Sequence, residues 1–533
     1  VTTDAETITI EVEPATVAGE TVHATVGRVE RLLVALGDRL NPILVKETRQ
    51  SLKSRQFVIT FTLLLLCGWV WSLLGVALIG PGVYCGTHGP TMFVGYYLIL
   101  AFPLLVVVPY SAFRSLAAEQ EERTYEMLSI TALTPRQIVR GKLGSAALQM
   151  LVYLSAITPC LAFTYMLRGL SFPTILMVVF YVAVGSLSLS MICLFLGTLP
   201  TEKYLQVIVS VLAIVGLFLA FCFGCPIAIA ITFEGEGQFR DADFWIANAA
   251  IMTFVAGYFV MIFEAAAARI TFASDNRSMR LRAVMLAQFA LWAAWMTYAW
   301  VLNKGEEGVI YCFVFFAVLH WYATGAMMTG ESPELSLRVR RQLPRSGLGR
   351  VFLTWFNPGP GTGYVFALAG LLGTLAIAII GIVLGDLFPT GHNQFFHPDR
   401  PFWFAAMGLC YAAFFLGLGV LVLRAARRRM PVGIVTAVLL QAVLVMTFSG
   451  IPALIHWMSD YRDQSYSLAQ IASPIWTLIH ILSDGMPAAE EPLLITLVPL
   501  AALAVLVANV PGIVKELRFV RIAAPERVAE EDA

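Results

Sequence analysis

Apolar runs of about 20 residues, separated by short polar stretches, recur from residue 57 almost to the end of the chain. A helix rises about 1.5 Å per residue, so about 20 apolar residues cross a hydrocarbon core of about 30 Å. Runs meeting this length lie at 57–80, 92–113, 143–167, 174–197, 205–232, 244–268, 283–303, 308–329, 363–388, 402–423, 432–456 and 493–512. They predict an all-α, polytopic transmembrane helix bundle of about 12 spans. Residues 466–484 are apolar but short, and Pro474 interrupts them. The pattern therefore predicts an interfacial or re-entrant helix there, within an outer segment at 457–492.

Charge then orients the spans. Of the 35 lysines and arginines, thirty fall in one alternating set of connections and only Arg168, Arg240, Lys304, Arg400 and Arg462 in the other. A missed or invented span would swap every later loop, so the partition supports the count as well as the orientation. By the positive-inside rule both ends are expected in the cytosol. Residues 1–27 carry Asp4, Glu6, Glu11, Glu13 and Glu20, without the basic-then-apolar order of a signal peptide. They are expected to form a loose cytosolic tail, as is 513–533, and the first span is expected to direct insertion.

Composition agrees: 58% of residues are hydrophobic and 13% charged, far from the balance of a soluble domain. Net charge is zero, which removes a bulk electrostatic case for nucleic acid. Most of the eight cysteines lie within or at the end of apolar runs, so a disulfide framework is not expected. Cys222-x-x-Cys225 inside a span reads more simply as small-residue packing than as redox chemistry.

The distinctive chemistry lies at the basic edge. Residues 28–56 form an amphipathic stretch suited to the inner leaflet, with Val29, Leu32, Leu33, Leu36 and Leu40 at helical spacing. Within it, Lys46, Arg49 and Lys53 share one face and are candidates for lipid contact. The connection between the second and third spans, 114–142, begins with acids, turns apolar at Tyr125, Leu128 and Ile130, and then breaks. Thr134-Pro135-Arg136-Gln137 reads as a helix start, with Thr at the N-cap, Pro at the first helical position and Gln three residues after the cap. A short surface helix followed by a new span could pass force from a cytosolic partner. Taken alone, a solvated loop helix is the plainer reading.

The segment resembles the coupling-helix region of ABC-2-type transporter permeases. The resemblance is carried by Glu119, Glu122, Thr124, Glu126, Leu128, Thr134-Pro135 and Gly141-Lys142, with Asn41-Pro42 and its basic stripe similar to the connecting helix of those permeases. It covers about residues 28–270, and Arg123 stands where members often have Gly. It implies an ABC-2-like six-span unit at 57–282 and a membrane subunit of the cell (inner, cytoplasmic) membrane working as an exporter; the additional six-span region at 283–512 does not copy the first. It also implies a separate ATPase subunit as partner and a second permease copy or homologue. Such a chain binds the lipid bilayer and no cofactor of its own, since ATP and Mg²⁺ sit on the partner. Consistent with this, Gly141-Lys142 is followed by Leu143, and Arg136 replaces the upstream glycine of a phosphate-binding loop.

Other polar residues within spans have plainer readings. Glu264 is expected to pair with Arg269 or to reach the head groups, and His320 to be a packed, hydrogen-bonded histidine. Asp386, His456 and Asp460 sit near outer span ends, and the loop 391–399 lacks a donor set fit for a metal. Gly381-x-x-x-Gly385 permits close helix contact. An ion-coupled carrier, which would need charged groups at broken midplane helices, and a membrane scaffold or enzyme using 457–492 are the alternatives.

Overall fold

Each apolar run is helical, the second with a π turn part-way along it. The computed structural model describes residues 41–80, 86–121, 133–199, 203–239, 241–271, 275–332, 349, 352–387, 399–429, 432–459, 466, 468–483, 485–486 and 491–521. The chain opens with α1 (Pro42–Leu52) and enters the first span, α2 (Arg55–Ile79). The second span is α3 (Gly89–Phe102), a π turn (Pro103–Val107) and α4 (Val108–Glu121). Then follow α5 (Pro135–Met166), α6 (Phe172–Gly197), α7 (Lys203–Gln238) and α8 (Ala242–Ile270). The second half holds α9 (Met279–Leu302), α10 (Glu307–Thr329), α11 (Pro360–Leu387), α12 (Asp399–Ala426), α13 (Ile434–Ser459), α14 (Pro474–Ser483) and α15 (Glu491–Arg521). Among the described residues, twelve helices are long and apolar enough to cross a membrane, one for each predicted span. The chain is an integral multi-pass membrane protein.

Side-chain caps set where several of these helices begin. Asn41 accepts from the Ile43 N–H at the start of α1, Ser54 from Phe57 at α2, and Ser171 from Thr174 at α6. The start of α5 carries a full capping box, with the Gln137 N–H on Thr134 and the Thr134 N–H on the Gln137 side chain. The predicted amphipathic stretch 28–56 is thus divided in the described part, because α1 stops at Leu52 and Ser54 caps a new helix. Residues 28–40 lie outside the described residues.

Pro103 has no N–H to offer the helix, and the chain widens into the π turn. Ser186 of α6 donates to the Leu104 carbonyl at 2.7 Å, satisfying a backbone oxygen inside the turn. In the first half, α4 packs on α6, and α1, α3 and α2 pack along α5, around Tyr96, Leu104, Tyr153 and Val178. In the second half, α10 packs on α11 and α12, and α15 on α12, around Trp321, Tyr364 and Leu416. α8 joins the halves: it packs on α5 and α6 on one side and on α9 on the other. Across that seam Tyr258 and His320 Nδ1 are 2.9 Å apart, so His320 is packed and hydrogen-bonded as its setting suggests.

The interrupted stretch forms a 3₁₀ turn (Leu468–Ala472) and then α14, ten residues or about 15 Å, half the depth of a hydrocarbon core. It lies against α12 and α13, where Thr477 is fully buried among the hydroxyls of Tyr411 and Tyr466.

Candidate functional site

At the basic edge the structure gathers α1, α2, α4 and α5 around one polar cavity of about 810 Å³. Its centre is Lys142, in the second turn of α5. The Lys142 ammonium lies 3.0 Å from Glu47 Oε1 of α1 and 3.0 Å from Glu119 Oε1 of α4, and it donates to the Ser115 carbonyl at 3.1 Å. The side chain of Lys142 is 1% exposed, and those of Glu47 and Glu119 are 10% and 14%. Three helices are therefore bonded through one ammonium, in a setting where an unpaired charge would be strongly unfavourable.

The sequence positions these groups by simple means. Ile43, Glu47 and Ser51 recur every four residues, so α1 turns an acid and a hydroxyl toward α5 while Lys46, Arg49 and Lys53 stay exposed. Gly141 and Gly144 let α1 lie close. A Cβ at Gly141 would sit 2.9 Å from the Ile43 side chain, and one at Gly144 would sit 2.8 Å from Leu44. Below Lys142, α5 turns further polar residues the same way. Ser145 meets Ser51, Gln149 accepts from Ser111 at 3.1 Å, and Tyr153 meets Thr60. From Lys142 to Tyr153 this stripe descends about 16 Å, half the thickness of a hydrocarbon core.

A second charged network lies at the same end of the bundle. Glu264 pairs with Arg136 at 2.7 Å, not with Arg269, tying the start of α5 to the end of α8. Arg282 is 1% exposed and pairs with Glu331 at 2.7 Å, and Glu331 also accepts from Ser278 and from the Gly359 N–H. Arg427 donates to the carbonyls of Thr329 and Glu331, and burial pulls its guanidinium below the ordinary value while Glu516 opposes the shift. The Glu516 carboxylate accepts from the Gly361 and Thr362 N–H groups, capping α11 from the far end of α15. These contacts join residues near the ends of seven spans, so the connections richest in Lys and Arg do share one edge.

Of the residues carrying the permease resemblance, Glu119, Gly141 and Lys142 come together, and Pro135 starts α5 as expected. Gly141 and Lys142 are occupied by contacts within the chain. Glu122, Thr124, Glu126 and Leu128 lie outside the described residues. Sequence reasoning missed Glu47, Arg136 as the partner of Glu264, and the Arg282–Glu331–Glu516 cluster. For Glu47 a signal existed, an acid four residues after Ile43 on the apolar face of α1. Elsewhere, Gly381 faces Ile310 of α10 within the chain, and Cys222 and Cys225 are both free thiols. His456 and His480 each lie against an aromatic ring, Trp476 and Tyr466. The loop 391–398 and Asp460 lie outside the described residues. No family model, curated protein or solved structure matches the chain.

Proposed function

We propose that the chain is the membrane-spanning subunit of an ATP-driven transporter of the ABC-2 kind, an exporter of the cell membrane. A separate ATPase subunit would bind ATP and Mg²⁺, and a second permease copy or homologue would complete the pathway. The observation that carries this reading is the Lys142 triad. Residues 122–132 join α4 just past Glu119 to α5 a few residues before Lys142, so both ends of the segment are tied to one bonded unit. Force applied to the segment by a partner would reach α1, α4 and α5 together. The exposed cations of α1 suit contact with anionic head groups while that unit moves.

Purification of the tagged protein from its native membranes should recover an ATPase, and charge reversal at Glu122 and Glu126 should reduce that recovery. Glu119 is a poor choice for reversal, because it would break the triad as well. Absence of any ATPase, with the reversed variants behaving as wild type, would sink the proposal.

One observation favours a second reading, an ion-coupled carrier: two largely buried carboxylates in the cavity meet the same buried ammonium, that of Lys142. Transport into sealed vesicles separates the two. The first reading requires ATP and persists when the proton gradient is collapsed, and the second shows the reverse.

A further inference from the structure

We propose that the seam between the two halves binds one resident water molecule, held by Gln288 and Trp292 of α9 and by His320 of α10. The inference rests on neither reading of transport given above.

The surroundings of the Tyr258–His320 contact carry it. There α8, α9 and α10 enclose a small cavity lined by Tyr258, Gln288, Trp292 and His320 and otherwise by apolar side chains. Gln288 is 3% exposed and His320 6%. Three polar atoms of these side chains are buried without a hydrogen-bond partner: Gln288 Oε1, Trp292 Nε1 and His320 Nε2. The Met285 carbonyl comes near the His320 ring, but Nε2 makes no hydrogen bond to it. His320 is the fourteenth of the 23 residues of α10, so neither end of the span brings bulk water to it. Unbonded polar atoms in such a place are costly.

The bonds already made decide what kind of group satisfies these atoms. Gly257 of α8 leaves the space that the Gln288 amide occupies, since a Cβ there would overlap it. The amide nitrogen donates to the Phe254 carbonyl at 3.4 Å, which leaves the amide oxygen as an acceptor. The Trp292 indole N–H only donates. A bound anion would be repelled by the amide oxygen, and a bound cation by the indole N–H. His320 Nδ1 is engaged by the Tyr258 hydroxyl at 2.9 Å, so Nε2 donates or accepts according to the tautomer. Water fits both cases: it accepts from Trp292, donates to Gln288, and has a lone pair or a proton left for His320.

Size agrees. The space open to a water-sized sphere is about 10 Å³, room for one water and for nothing larger. About three hydrogen bonds is the usual number for a buried water. The direct contacts across the seam reach α8 separately, one from His320 and one from Gln288. The water joins those two residues, so α8, α9 and α10 share one hydrogen-bonded chain.

A density map of the full chain in lipid nanodiscs, fine enough to show ordered water, tests this. It should contain one peak about 3 Å from each of the three atoms, and Gln288→Leu should abolish it. A well-ordered wild-type cavity without a peak would overturn the proposal, as would a direct bond from His320 to the Met285 carbonyl that closes the cavity. A peak that strengthens when chloride is replaced by bromide would mean an anion and would overturn it too. Should Gln288→Leu fail to fold, isotope labelling of the tryptophan nitrogens gives a second readout on the wild-type protein. The Trp292 indole proton, assigned with Trp292→Phe, should receive magnetisation from water despite its burial. A Trp292 signal with no such transfer would count against a resident water.

Discussion

At Lys142 the charge count matters more than the number of hydrogen bonds. Its removal takes from Glu47 and Glu119, both largely buried, the ammonium they share, a change of the kind that costs about 3–5 kcal/mol. Lys142→Met should therefore lower the midpoint of thermal or SDS unfolding sharply. Adding Glu47→Gln should recover part of the loss, because one of the two carboxylate charges goes with it. A single variant as stable as wild type would show that the triad holds nothing together. Only part of this site is legible in the sequence. Gly141-Lys142 stands out at the start of a span, but the two acids that meet it lie 95 and 23 residues earlier, and nothing local fixes the pairing. The same limit explains Glu264. Arg269 is near it along the helix, while its actual partner, Arg136, is 128 residues away.

Among the elements, helix existence is legible and helix contact is not. The twelve spans follow from length and apolarity alone, and the start of α5 from Thr134, Pro135 and Gln137, because these signals act within a few residues. The seating of α1 on α5 depends on Gly141 and Gly144, whose meaning appears only once Ile43 and Leu44 are found above them. Gly141→Leu should lift α1 from α5. The hydroxyls of Ser51 and Ser145 lie 3.3 Å apart, so in a cysteine-free background the Ser51→Cys/Ser145→Cys pair should cross-link on mild oxidation. Introducing Gly141→Leu should abolish the cross-link, and efficient cross-linking in its presence would contradict the close seating.

For the whole molecule, the lopsided distribution of Lys and Arg predicts sidedness. In a cysteine-free background a membrane-impermeant maleimide should label Lys304→Cys in intact cells and Arg428→Cys only after permeabilisation. The opposite pattern would invert the protein. The two halves should also hold together without a covalent link. α8 packs against both, and the Tyr258–His320 contact and the Gln288 bond to the Phe254 carbonyl cross the seam. Pieces covering 1–273 and 274–533, expressed together, should co-purify through a tag on either one. Recovery of the tagged half alone would make the seam an incidental contact. Sequence pattern gives no access to this seam, since a residue facing lipid and one facing another helix are equally apolar.

The π turn at Pro103–Val107 divides the second span into two rods of unequal freedom. An α-helical ladder resists bending along its length, but a widened turn is a compliant joint, and here its position sets a lever arm. From the joint to Glu119 is about 12 residues, or about 18 Å. A tilt of about 6° about that fulcrum displaces the Glu119 carboxylate by about 2 Å. That exceeds the slack of the hydrogen bonds holding it to Lys142, which form only within a few tenths of an ångström of about 3 Å. So small a swing of α4 has two outcomes: α1 and α5 travel with it, or the ammonium lets go and the cavity opens. The second span is in this sense a beam with its pivot inside the bilayer and its latch at the surface.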